Sequence, residues 1–140
     1  MGPIHAQAQE LDRFITDHGT TGVAIVSLPE EMPVNESASL EASLTNEIGM
    51  AVDRVYMNSL YPERFSGDDA SELEDALERA DGAARAAVRA ALSEHRRCRS
   101  QREQLQRLKQ AVASPVKTLP FIFKPALDVP SLERLAGALV

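Results

Sequence analysis

The stretch VAIVSLPEEMPVNES, from Val23 to Ser37, decides the fold. It begins inside the segment GVAIVSL (residues 22–28), which is too short and too rich in β-branched side chains for a buried helix. Apolar side chains at consecutive positions of this segment would make both faces of a strand apolar. Such a pattern is typical of an interior strand of a parallel sheet, which helices cover on both sides.

Prolines and acidic residues follow this predicted strand. Pro29 and Pro33 restrict the backbone of the connecting segment, so we expect a stiff loop at this point. The loop is expected to hold Glu30, Glu31 and Glu36 at the carboxyl end of the strand. Ligands of open parallel sheets bind outside the carboxyl ends of the strands, so this edge of the sheet is the predicted functional edge.

Helices and further strands alternate along the rest of the chain. Apolar residues at helical spacing predict a helix over 3–18 and a second one from an N-cap at about Asn35 to Ile48, with Gly49 as the stop. They also predict a long helical segment of about 68–113 that breaks at Asp81-Gly82, and a last helix that begins at Pro130 or Ser131. Strands are predicted over 52–59 and over 116–123, where Pro120 must lie at the point at which the strand leaves the sheet. Because helices separate all the strands, parallel pairing is expected. The predicted fold class is therefore α/β, with one domain over 1–140 that forms a three-layer sandwich around a partial parallel sheet of three strands.

Composition argues against several classes of protein. A net charge of −6 does not suit nucleic-acid binding, which needs a clustered excess of Lys and Arg. One cysteine, Cys98, cannot build a disulfide framework or a multi-thiolate site, and the histidines lack metal-ligand spacing, so no metal site is expected. No apolar run approaches the roughly 18 residues that a membrane span needs. We therefore expect a cytoplasmic protein without stable membrane insertion.

Four segments, taken in their order and spacing, resemble one family of ATPases. They are LPEEMPVNES (28–37), VDRVYMNSLYP (52–62), CRSQREQLQRL (98–108) and VKTLPFIFKPALDVPSLERLAGAL (116–139). The family is that of the ArsA-type anion-transporting ATPases and the related ATPases that target tail-anchored membrane proteins, which are deviant P-loop NTPases. The resemblance implies a cytoplasmic, dimeric, ATP-binding hydrolase whose C-terminal portion is similar to this chain.

The resemblance also implies roles for individual residues. The strand-terminal asparagine of the family contacts the adenine of ATP, and Asn58 matches it; its amide offers both a donor and an acceptor. The Leu-Pro turn after the last strand packs on the other side of the adenine, and Pro120 matches it, together with Phe121 or Phe123.

Two acidic residues match positions that lie near the dimer interface of the family. They are Glu31 in the acidic loop and Glu36 at the opening of the next helix, so both are candidates for subunit contacts. The related targeting ATPases have a Cys-x-x-Cys zinc clamp where this chain reads Cys98 and Gln101, so a zinc clamp is not expected.

The chain departs from the family at the phosphate site. The family grips the phosphates of ATP with a Gly-rich loop that ends in Gly-Lys-Ser/Thr, and no Gly-Lys pair occurs in this sequence. The resemblance therefore implies a missing N-terminal half that carries the P-loop and binds Mg²⁺. This chain is expected to make adenine contacts only, with no catalytic residue, and to depend on that half for hydrolysis.

Two functions remain open at this point. The first is the adenine-side part of an ArsA-like ATPase, with the N-terminal ATPase half or a membrane-protein client as partner. The alternative is a non-catalytic interaction or dimerisation module that retains the fold without nucleotide. Without the strands of the missing half, the partial sheet leaves a strand edge and apolar helix faces exposed. A homo-oligomer is therefore expected for the isolated chain in either case.

Overall fold

A computed structural model of the chain describes residues 2–139. The strands are β1 (Val23–Ser27), β2 (Val52–Leu60) and β3 (Val116–Pro120). The helices are α1 (Pro3–Thr16), α2 (Glu31–Ser43, continued by a π-helical turn over Leu44–Ile48), α3 (Gly67–Arg79), α4 (Gly82–Ala111) and α5 (Val129–Leu139). The predicted order of helices and strands is confirmed.

The three strands form one parallel sheet in the order β1-β2-β3. Successive side chains of a strand point to opposite faces, and α2 and α4 cover the face that carries Val55 and Met57. The opposite face carries Arg54 and Tyr56, whose side chains both donate hydrogen bonds to the carbonyl oxygen of Leu139 in α5. The α/β class and the partial three-layer sandwich are therefore confirmed.

The core lies between the sheet and the pair α2–α4. Its members are buried apolar side chains of β1, β2, α2 and α4, namely Ile25, Val34, Val55, Met57, Leu60, Leu105 and Leu108. Leu108, at the C-terminal end of α4, has no exposed surface. α4 thus packs against the sheet through Leu105 and Leu108.

β1 is an edge strand, so the prediction of an interior strand is wrong. Its burial alternates, with Ile25 5% exposed on the covered face and Val26 62% exposed on the other. The strand at the centre is β2, which has a partner on each side. No described residue of α1 is buried, so the helix that precedes β1 does not cover this bare face.

The helix after β1 begins earlier than predicted. Backbone N–H of Val34 already donates to the carbonyl of Glu30 at 3.1 Å, so Asn35 is not the N-cap and α2 starts at Glu31. Pro33 fits into the first turn because the first N–H groups of a helix need no partner within it. The expected stiff loop is therefore only a short turn around Pro29.

The other predicted helix boundaries are close to those observed. Gly49 ends the π-helical turn in the left-handed conformation, at φ +79°, as expected for a glycine stop. The break at Asp81-Gly82 is confirmed, and Ser66 caps α3 in a reciprocal arrangement with Asp69. Hydrogen bonds from the backbone and side chain of Ser66 lower the pKa of Asp69.

A buried carboxylate joins α2 to the connection between α4 and β3. Glu41 is 7% exposed, and its two oxygens accept hydrogen bonds from the backbone N–H groups of Ala113 (2.8 Å) and Ser114 (2.9 Å). The hydroxyl of Ser114 donates to the carbonyl of Val52 at the start of β2. Glu41 thereby fixes the point at which the chain leaves α4 and enters β3.

Candidate functional site

The carboxyl ends of β2 and β3 bring together Asn58 and Pro120. Met57 is opposite Thr118 and Leu60 is opposite Pro120, so β2 has one more residue than β3 in this interval and forms a bulge there. The N–H of Phe121 donates to the carbonyl of Leu60 at 2.8 Å and holds the two strand ends together. Pro120 is the last residue of β3, where the sequence requires it.

Asn58 lies in this bulge and is half-buried. Its Oδ1 accepts a hydrogen bond from the N–H of Ser59 at 2.8 Å, and among residues 2–139 no acceptor is found for its Nδ2. Ser59 has a φ of +62°, in the left-handed region that non-glycine residues seldom adopt. A strained residue of this kind persists only where its surroundings hold it, and such residues cluster at binding sites.

Three side chains of α4 hold the main chain around Ser59 in this conformation. Gln101 Oε1 accepts from the N–H of Tyr61 at 2.8 Å, and Gln101 Nε2 donates to the carbonyl of Ser59 at 3.5 Å. Arg102 Nη2 donates to the carbonyl of Tyr61 at 3.1 Å, and Cys98 Sγ lies 3.7 Å from the same oxygen. We call these three residues of α4 the clamp, because they fix the main chain where β2 ends.

The clamp includes the Cys98–Gln101 pair that the sequence singles out. Both side chains face the backbone of Ser59 and Tyr61. Within residues 2–139, no group of three or more His, Cys, Asp or Glu side chains is placed to hold a metal ion.

An aromatic cluster stands beside the strand ends. The ring centroid of Tyr61 is 4.9 Å from that of Phe121 and 5.0 Å from that of Phe123, and the two phenylalanines are 4.7 Å apart. The tilted and edge-on geometry of these rings is the preferred one for aromatic pairs. Arg97 donates to the Tyr61 hydroxyl at 3.1 Å and approaches the face of its ring.

A cleft opens between the aromatic cluster and α5. It has a volume of about 380 Å³, and its lining includes Arg64, Phe121, Phe123, Lys124, Ser131 and Arg134. We call it the basic cleft. Phe123 is 47% exposed, and the guanidinium carbon of Arg64 lies 4.6 Å from the centroid of its ring.

The predicted interface residues lie elsewhere. Glu31 is in the first turn of α2 and forms an ion pair with Arg107 of α4 at 3.7 Å, while Glu36 is exposed one turn further along. Among the described residues, neither glutamate bonds to Asn58 or to the aromatic cluster. Of the six predicted site residues, Asn58, Pro120, Phe121 and Phe123 lie at or directly after the carboxyl ends of the neighbouring strands β2 and β3.

Several residues of this edge are absent from the sequence-based prediction. Tyr61 is the second residue after the predicted strand over 52–59, and its position between Leu and Pro was the available signal. Gln101 and Arg102 could not be assigned from sequence, since their contacts join segments about 40 residues apart along the chain.

No protein-family model matches this chain, and no curated protein matches it. In the part of the chain that the structure describes, no helix is both long and apolar enough to cross a membrane.

Proposed function

We propose that this chain is the adenine-side part of an ATPase that resembles the ArsA-type anion-transporting ATPases. The observation that supports the proposal best is the position of Asn58 and of Pro120 and Phe121 at neighbouring carboxyl ends of a parallel sheet, which Leu60 joins through its pairing with Pro120 and its hydrogen bond from Phe121. Ligands of open parallel sheets bind outside the carboxyl ends of the strands. The location proposed for such an ATPase is the cytoplasm.

The chemistry of these side chains suits a purine. The Nδ2 donors of Asn58 can bond to a ring nitrogen, while the free lone pair of its Oδ1 can accept from the N6 amino group. Pro120 and the phenylalanines supply an apolar wall for the ring. The clamp keeps the strand end in place, so that little ordering remains to be done when a ligand binds.

Phosphates and Mg²⁺ require a separate segment under this proposal. The sequence has no Gly-Lys pair, and among the described residues the outer edge of β1 has no partner strand. A P-loop segment that pairs with this edge would extend the sheet and bring the phosphates beside the purine. This chain would then contribute adenine contacts and no catalytic residue.

Replacing Asn58 with alanine is expected to weaken ATP binding by about 1–3 kcal/mol in the protein that combines this chain with its P-loop segment. The reason is the loss of the amide that reads the base. Isothermal titration of ATP and of GTP measures the effect, and GTP affinity should change little because guanine has no N6 amino group. Asn46→Ala, an exposed asparagine of the π-helical turn, is the matched control. Equal ATP affinity for the two variants would count against the proposal.

An interaction module is the second candidate, and the bare apolar surfaces favour it. α1 carries exposed Ile4, Leu11, Phe14 and Ile15, and β1 exposes Val26 beside its free edge. Monomeric proteins rarely leave contiguous patches of this kind uncovered. The module would retain the fold and bind a partner, such as a second copy, through these surfaces.

The isolated chain is therefore expected to form a homodimer or a larger assembly, and Val26→Lys should shift it toward the monomer. If two copies associate through the bare face of β1, a lysine at this position would bury its charge in the interface, which is unfavourable. Light scattering coupled to size exclusion measures the change. Gln110→Lys adds the same charge at an exposed site on α4 and should have no effect. A monodisperse wild-type monomer would contradict the expectation.

A further inference from the structure

The basic cleft is lined by cations and apolar side chains, and none of its lining residues is acidic. Arg64 comes from the connection between β2 and α3, Lys124 from the segment after β3, and Arg134 from α5. Three separate parts of the chain thus converge on one concave site. Its volume of about 380 Å³ lies within the range of small-molecule sites.

Carboxylates outside the lining hold two of these cations. Glu94 on α4 pairs with Arg64 at 3.1 Å, and Asp128 pairs with Lys124 at 2.7 Å. Lys124, followed by Ser131, lowers the pKa of Asp128 to about 2, so Asp128 is ionised at neutral pH. Arg134 has no ion pair within residues 2–139. Three cations against two carboxylates leave an excess of positive charge that faces the cleft.

Part of the lining of the basic cleft is apolar and aromatic. Phe121 and Phe123 pack edge to face, and the exposed part of Phe123 turns toward the cleft that it lines. Arg64 covers part of that ring, so a charged group and a flat apolar surface lie side by side. A ligand that fits both features carries an anion next to a small flat group.

We propose that the basic cleft binds a phosphate monoester of a small aromatic group, with the phosphate among Arg64, Lys124 and Arg134 and the ring against Phe123. A dianionic phosphate matches the cations better than a carboxylate does, because its three outer oxygens can accept from several donors at once. The two guanidinium groups offer paired N–H donors in a planar fork that suits phosphate. The site shares Phe121 and Phe123 with the proposed adenine contacts but needs neither adenine nor a P-loop segment.

Phenyl phosphate tests the proposal on the intact 140-residue chain. Isothermal titration should show binding of phenyl phosphate, and Arg134→Gln should weaken it about tenfold or more, since a hydrogen bond to a charged group is lost. Arg134 is exposed, so the substitution is not expected to disturb folding. Lys109→Gln removes the same charge from an exposed site on α4, outside the lining, and should leave the affinity unchanged.

Inorganic phosphate and phenol separate the two halves of the site. Both should bind more weakly than phenyl phosphate. Inorganic phosphate that bound as tightly as the ester would overturn the role of Phe123, and phenol that bound as tightly would overturn the role of the cations. Absence of phenyl phosphate binding at about 10 mM, or equal affinities of Arg134→Gln and wild type, would overturn the proposal. The ATPase proposal is tested separately, by the ATP affinity of Asn58→Ala, because Asn58 does not line the basic cleft.

Discussion

Leu108→Ala is expected to lower the free energy of unfolding by about 2–5 kcal/mol. Leu108 has no exposed surface and lies where α4 meets the sheet, in contact with the buried cluster of β1, β2 and α2. Truncation removes buried methyl groups and leaves a cavity that two packed layers cannot close. Urea denaturation followed by far-ultraviolet circular dichroism measures the loss.

Leu108→Met is the control for this prediction. Methionine nearly conserves the volume, so the loss should stay below about 1.5 kcal/mol. If the alanine variant lost no more than the methionine variant, α4 would not be packed on the sheet as the structure has it.

Glu41→Gln is expected to lower the free energy of unfolding at pH 7 by about 2 kcal/mol. The carboxylate of Glu41 accepts from two backbone N–H groups at once, whereas a glutamine presents one oxygen and one NH₂ group that would face an N–H donor. Urea denaturation of both proteins measures the loss. Glu36→Gln, on the exposed face of the same helix, should change stability little.

The effect of Glu41 should depend on pH in a defined direction. Burial raises the pKa of Glu41, but the hydrogen bonds that its carboxylate accepts from the N–H groups of Ala113 and Ser114 outweigh this effect, so that the net pKa in the folded protein is below the ordinary value. The stabilisation is therefore present above the unfolded-state pKa of about 4.3 and is lost as pH falls through the folded value. Wild type and Glu41→Gln should differ most at pH 7 and least near pH 3. A difference that did not depend on pH would contradict the role of the charge.

Local sequence patterns predict the elements of this fold well. Short β-branched segments, helical spacing and the stops at Gly49 and Asp81-Gly82 correspond to elements of the structure, because backbone preferences act over a few residues. The position of β1 at the edge could not be predicted in this way. An apolar segment has the same sequence pattern whether helices cover both of its faces or only one. In β1, Ile25 is buried and the equally apolar Val26 is exposed.

The prediction of the first residue of α2 was wrong for a different reason. Asn35 is a good N-cap by type, but Glu30 occupies that position and Pro33 is accommodated in the first turn. Proline signals both a loop and the first turn of a helix, and the sequence alone does not choose between them.

The candidate site is only partly visible in the sequence. Parallel topology places the strand exits at one edge, so that Asn58 and Pro120 could be grouped in advance. The clamp and the basic cleft depend on contacts between distant segments. In the sequence, Arg64 and Arg134 have no feature that distinguishes them from other surface charges. They line one cleft only because α5 packs against β3.

The clamp also has a consequence for how the molecule opens. Gln101 and Arg102 tie both the donor and the acceptor of Tyr61 to the middle of a 30-residue helix. Fraying of the end of β2 therefore costs these hydrogen bonds to α4 in addition to those within the sheet. We therefore expect the strand end and the helix to unfold together as one cooperative unit.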